Sequence, residues 1–215
     1  MRDLFYKELK LALHPTAYLF VFFGVMLVIP NYSYYVVFFY VSLGMFFICL
    51  SGRENRDIPF SVMLPVRKRD IVTARILLAV LIELLQLVIS IPFALLRGRM
   101  PVGPNAAGLD ANIALFGSAL LLFGIFNLVF FTRYYKAPDK VGKAFLWSSL
   151  AEGIYVILAE ACVHAIPWVK QVVDTPDPLH PGPKLIILGV GAAAFVVLTF
   201  LAWRRSMTSF EKLDL

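Results

Sequence analysis

Cysteine and charge are both scarce in this chain. Of 215 residues, two are cysteine and three are histidine. Cys49 and Cys162 each sit inside an apolar block, so neither a disulfide framework nor a zinc-binding spacing exists, and both read as small buried hydrophobes. Charged residues make up 16% of the chain, well short of the roughly 25% of an ordinary soluble domain. No GxxxxGK[ST] phosphate loop is present, so the chain is not expected to bind ATP in the usual way. There is also no HExxH helix and no nucleophile elbow. Ser148 and Ser149 precede His164 by too many helical turns to share a catalytic patch on one helix. No catalytic residue and no metal ligand is assigned. The strict apolar–polar alternation of a membrane β-barrel is absent as well.

What the chain has is hydrocarbon. Sixty per cent of its residues are apolar, and they fall in long blocks. About 18 such residues suffice to cross a roughly 30 Å hydrocarbon core as a helix, where every backbone N–H and C=O must be satisfied internally. The expected fold class is therefore an all-α integral membrane protein with six transmembrane helices and an N-terminal amphipathic interfacial helix. The spans are expected at about 15–30, 32–51, 71–96, 111–132, 144–167 and 183–203, within a single transmembrane domain. In residues 2–14, Phe5, Tyr6, Leu9, Ala12 and Leu13 share a face opposite Asp3, Lys7 and Lys10, the pattern of a helix lying in the membrane surface. No small-residue cleavage site follows Pro30, so the first apolar segment is expected to be retained.

The net charge of +6 does not point to nucleic acid, because the basic residues cluster at the ends of the apolar blocks. Lys and Arg counts in the loops set orientation. The N-terminus, the 52–75 region, the 133–143 loop and the C-terminal tail hold 3, 6, 4 and 3 basic residues. The other side holds only Arg97, Arg99, Lys170 and Lys184. Six spans with both termini in the cytoplasm give this distribution, and the chain is expected in the cytoplasmic membrane.

The most charged stretch is 52–75, between the second and third spans. It carries Arg53, Glu54, Arg56, Asp57, Arg67, Lys68, Arg69, Asp70 and Arg75 around an apolar centre of Ile58, Phe60, Val62, Met63 and Leu64. Such a segment either docks on a soluble partner or is a solvated loop anchored at the headgroups. The run Leu64-Pro65-Val66-Arg67-Lys68-Arg69-Asp70-Ile71-Val72, followed by Arg75, resembles the permeases of type-2 ABC exporters, with Glu54 and Asp57 in the place of the upstream acidic cluster. The nearest group is the small permeases of bacterial peptide-toxin exporters. The resemblance implies a transport subunit rather than an enzyme, with no cofactor of its own. ATP and Mg²⁺ would belong to a separate cytoplasmic ABC ATP-binding subunit. It also implies a second permease copy or paralogue, giving twelve spans in a homodimer or heterodimer. The 52–70 loop would contain the coupling helix, with Glu54, Asp57, Ile58, Phe60, Met63, Arg67 and Arg69 facing the ATPase. Arg67–Arg69 equally suit anionic headgroups.

A second polar set lies inside the spans: Glu83 and Gln86 in the third, and Glu152, Glu160 and His164 in the fifth. Acidic groups at this depth face protein or water, not lipid. They line a substrate path or form an interhelical polar strip, with Glu160 and His164 spaced to pair. The aromatic run Tyr32, Tyr34, Tyr35, Phe38, Phe39 and Tyr40 reads as an interfacial belt with lipid-facing packing. Gly189, Gly191, Ala192, Ala193 and Ala194 read as a site of close helix approach. The expected cargo is hydrophobic or amphipathic, a peptide among the candidates. Two other readings are carried: an intramembrane enzyme using Glu152, Glu160 and His164, and a non-transporting immunity or assembly protein.

Overall fold

The computed structural model describes residues 2–101, 103 and 105–213. Those residues form helices and turns, with no strand among them. The helices are α1 (Arg2–Lys7), α2 (Pro15–Phe22), α3 (Tyr35–Glu54), α4 (Asp57–Met63), α5 (Lys68–Arg99), α6 (Ile113–Tyr134), α7 (Val141–Ala165) and α8 (Pro181–Glu211). Five of them, α3 and α5 to α8, are long and apolar enough to cross a membrane. The sixth candidate is a bent pair, Leu4–Lys10 followed by Pro15–Val28, with an angle of 76° between its arms. The protein is an all-α integral membrane protein.

Local chemistry explains the helix ends. Pro15 opens α2 at a position where its missing N–H costs nothing, and the His14 side chain accepts from Thr16 N–H. After Phe22 the chain tightens into a 3₁₀ helix over Phe23–Val28. At about 1.5 Å per residue for the first part and about 2.0 Å for the second, this arm spans only about 24 Å. It coincides with the short first span expected at about 15–30. The 52–70 segment, read as a loop, is largely helical. Arg56 takes a left-handed conformation (φ 51°) that reverses the chain from α3 into α4. Pro65 holds Leu64 extended and ends α4. Lys68 already begins α5, so the basic cluster rides on a helix end. Asn112 caps α6 by accepting from Leu115 N–H.

α6 is the most enclosed span, while α7 and α8 are the least. α6 and α8 touch backbone to backbone. A Cβ on Gly191 would strike the Gly117 carbonyl, and one on Gly117 would lie 2.6 Å from the Ile187 carbonyl oxygen. Gly191 thus performs the close approach expected of that group, whereas Gly189 faces open space. The aromatic run departs from the belt reading. Tyr34, Tyr35 and Phe38 are buried in the core, with Phe38 edge-on to Phe123 and Tyr35 edge-on to Tyr155. α3 packs against α2, α5, α6 and α7. A central helix has little lipid-facing surface, so its rings turn inward.

Candidate coupling site

At the end of the bundle where α3 stops and α5 begins, one guanidinium organises three separate segments. Arg75, on the second turn of α5, is 3% exposed. Its Nε donates to Glu8 Oε2, and its Nη2 donates to Glu8 Oε1 at 3.2 Å and to Asp57 Oδ2 at 2.5 Å. Its Nη1 lies 3.8 Å from Cys49 Sγ of α3. Glu8, in the turn after α1, is 2% exposed. Lys7 completes the node through an ion pair with Asp57 and a 2.6 Å hydrogen bond to Ser61 Oγ. The N-terminal segment, α4 and α5 are thereby joined by buried charge.

Asp57 carries two opposing influences. Burial pushes its carboxyl up, but the Arg75 guanidinium and the Lys7 ammonium outweigh that and hold it below the usual carboxylate range. Asp57 is thus an anion at neutral pH, opening α4 where the helix dipole favours negative charge.

α4 presents two faces. Asp57, Ile58 and Ser61 turn into the bundle. Phe60 and Met63 point away from it, 58% and 84% exposed. Glu54 is exposed beside Arg53. A cleft of about 360 Å³ lies next to this helix, lined by Lys7, His14, Ser51, Asn55, Asp57 and Phe60 among others. The seven residues expected at the coupling site therefore divide. Asp57 and Ile58 anchor the helix, Phe60 and Met63 stand free on it, and Glu54 is exposed at the end of α3. Arg67 is exposed and pairs with Asp70 at 3.2 Å. Arg69 turns to the end of α8, where its Nε donates to Glu211 Oε1 at 2.5 Å. Next to it Lys68 Nζ reaches the Leu213 carbonyl at 2.5 Å.

The sequence reading placed Lys7 on an outward polar face and gave Glu8 no role. The structure turns Lys7 and Glu8 inward and leaves Tyr6 exposed. A signal existed: at 100° per residue, Glu8 falls beside Ala12 at the edge of the apolar arc. A carboxylate there needs a buried cation, and Arg75 is the cation one helical turn inside α5.

The intramembrane set separates as well. Glu83 bonds Asn127 of α6, Gln86 bonds the Val37 carbonyl of α3, and Glu152 bonds Ser42 of α3. Glu160 accepts from Ser33 at 2.8 Å, while His164 lies exposed beyond it. The spacing allowed Glu160 and His164 to pair, but the carboxyl accepts from Ser33, in the turn before α3, instead. Glu152, Glu160 and His164 do not converge on one site. Among the described residues no three His, Cys, Asp or Glu side chains come together as metal ligands.

At the opposite end of the bundle a wider cleft of about 740 Å³ lies between α5, the start of α6 and the 174–178 loop. Arg97 and Arg99 face Asp110, Asp174 and Asp177 across it. Burial raises the Asp174 carboxyl above its usual range, although the Asp110 N–H bond opposes this.

A family model described as "ABC-2 family transporter protein" matches residues 3–211. No curated protein and no solved structure matches the chain.

Proposed function

The chain belongs to the ABC-2 family of transporter proteins, and from that premise we propose that it is the permease subunit of an ATP-driven exporter. A separate cytoplasmic ATP-binding subunit docks on α4 and supplies the energy, and two permease copies or paralogues form the working pair. Both termini and α4 face the cytoplasm, on the side rich in Lys and Arg. The cargo is a hydrophobic or amphipathic molecule.

One observation carries this reading: α4 is short, fixed on one face and bare on the other. Phe60 and Met63 are exposed apolar side chains at the charged end of the protein, and Arg53, Glu54 and Arg67, which flank α4 in the chain, are exposed too. Apolar anchors with a charged rim suit a groove on a soluble partner, the anchors giving affinity and the rim register. The opposite face leads inward. A push on α4 reaches Asp57, then Arg75 at the foot of α5, then Glu8 beside the bent first span. Movement of a docked subunit is thus passed to two membrane segments through buried ion pairs, which resist separation because each charge would be left unpaired.

Phe60→Asp with Met63→Asp tests the docking face. The expected result is loss of co-purification with the ATP-binding subunit and at least a tenfold fall in permease-stimulated ATP hydrolysis, with helical content and membrane insertion unchanged. Normal association of this variant would remove α4 as the docking element.

A further inference from the structure

Midway through the bundle lies a polar layer that the coupling route does not use. Asn127 Nδ2 of α6 donates to Glu83 Oε2 of α5 at 3.0 Å and lies 3.1 Å from Thr199 Oγ1 of α8. On the other flank Ser42 Oγ of α3 donates to Glu152 Oε1 of α7 at 2.6 Å. Gln86, one turn beyond Glu83, donates to the Val37 carbonyl at 3.3 Å. Glu83, Gln86, Asn127 and Glu152 are all buried. Five helices meet at this depth through side chains.

The hydrogen bonding of the layer is lopsided. Glu83 Oε1, Glu152 Oε2, Asn127 Oδ1 and Gln86 Oε1 are buried with no hydrogen-bond partner among the described residues. The two amide oxygens are acceptors, and the two carboxyl oxygens are acceptors when ionised, while the two amide nitrogens are already engaged. A buried acceptor left unsatisfied is destabilising, because it has lost its water and gained no donor. The buried cations lie elsewhere, Arg75 at one end of the bundle and Arg97 and Lys184 at the other. Among the described residues the layer itself holds no cation.

We infer that this layer sets the sign of the cargo: Glu83 and Glu152 receive a cationic, donor-rich head group, an ammonium or a guanidinium on an amphipathic molecule, when the bundle opens. The inference rests on the transporter reading above. An ammonium brings three N–H donors, a guanidinium five, and neither accepts. Each complements a layer left with free acceptors, and its bonds to carboxylates are about twice as strong as neutral ones. An anionic head would meet two carboxyls with no cation between them, so the same residues reject as well as select. Access is simple in outline. α7 is among the least enclosed spans, and parting it from α3 at this depth breaks the Ser42–Glu152 bond and uncovers the carboxyl.

The test uses three amphipathic helical peptides with one common apolar face and a polar face of Lys, Gln or Glu. The permease and its ATP-binding subunit are placed together in nanodiscs, and ATP hydrolysis is titrated with each peptide. The Lys peptide is expected to stimulate at concentrations at least tenfold below the Gln peptide, and the Glu peptide not to stimulate. Glu83→Gln with Glu152→Gln should bring the Lys and Gln peptides together, with each single variant moving part of the way. Equal responses of the natural protein to all three peptides overturn the inference. So does a Lys preference that survives in the double variant or, should that variant fail to fold, in both single ones. Binding of the labelled peptides to the permease alone, followed by fluorescence anisotropy, separates this from the coupling reading. A sign preference there that depends on Glu83 and Glu152 stands even if no ATP-binding subunit associates, and in that event only the coupling reading fails.

Discussion

Arg75 is a residue whose value lies in its partners. Removing one side of a buried ion pair costs about 3–5 kcal/mol, because the remaining charge stays buried without compensation. Glu8→Gln is therefore expected to destabilise the protein by about that amount, read as a lower melting midpoint in detergent. Arg75→Leu together with Glu8→Leu should recover much of the loss, since apolar replacement of a whole pair is often neutral. Asp57 gives a pH signature. Its carboxyl is held below the ordinary 3.8 of an aspartate, so its contribution is fully present above that pH and fades as pH falls through the lower folded value. The stability gap between the natural protein and Asp57→Asn should stay constant from neutral pH down to about 4 and narrow below it. Closure of the gap already at pH 5–6 would contradict the ion-pair assignment.

At the scale of elements, α6 and α8 form a pair that tolerates no side chain at its crossing. Gly191→Ala and Gly117→Ala should each separate the helices and cost about 1–3 kcal/mol by overpacking. Gly189→Ala, on the open face, should be close to neutral or slightly stabilising. Thermal melts of the three variants in one detergent decide it. The sequence contained the glycines but not which one faces α6, because a cluster of small residues on one helix leaves its partner unspecified. The helices themselves were readable, since hydropathy depends on the lipid solvent and not on any neighbour. α4 was harder. Its seven residues lie in a charged stretch, and what makes them a helix is the reversal at Arg56 and the stop at Pro65. Glu83, Gln86 and Glu152 stood out as ionisable or polar groups in apolar runs. Their partners Ser42, Asn127 and Thr199 did not, because single Ser, Thr and Asn residues are common in membrane helices.

For the whole molecule, the charge distribution and the fold make one joint statement. The 133–143 turn and the ends of α3 and α8 should open to the same compartment, and the 97–110 and 168–182 loops to the other. Single cysteines at Glu54, Lys140 and Lys212, in a background with Cys49 and Cys162 replaced by Ala, should react with an impermeant maleimide only from the cytoplasmic side. Cysteines at Gly98 and Asp177 should react only from outside. A mixed pattern would break the even count of spans. The aromatic belt reading failed at this scale. Tyr34, Tyr35 and Phe38 look lipid-facing in isolation, and only the packing of four segments around α3 shows otherwise.

The bond between Glu8 and Arg75 joins positions 67 residues apart. Glu8 leaves the ribosome with the first segment, whereas its guanidinium arrives only with the third long apolar stretch. Until then Glu8 has only the neighbouring Lys7 ammonium, 3.7 Å away, as a counter-charge. The ion pairs that Arg75 makes with the arm and with α4 can therefore close only after the foot of α5 has been made.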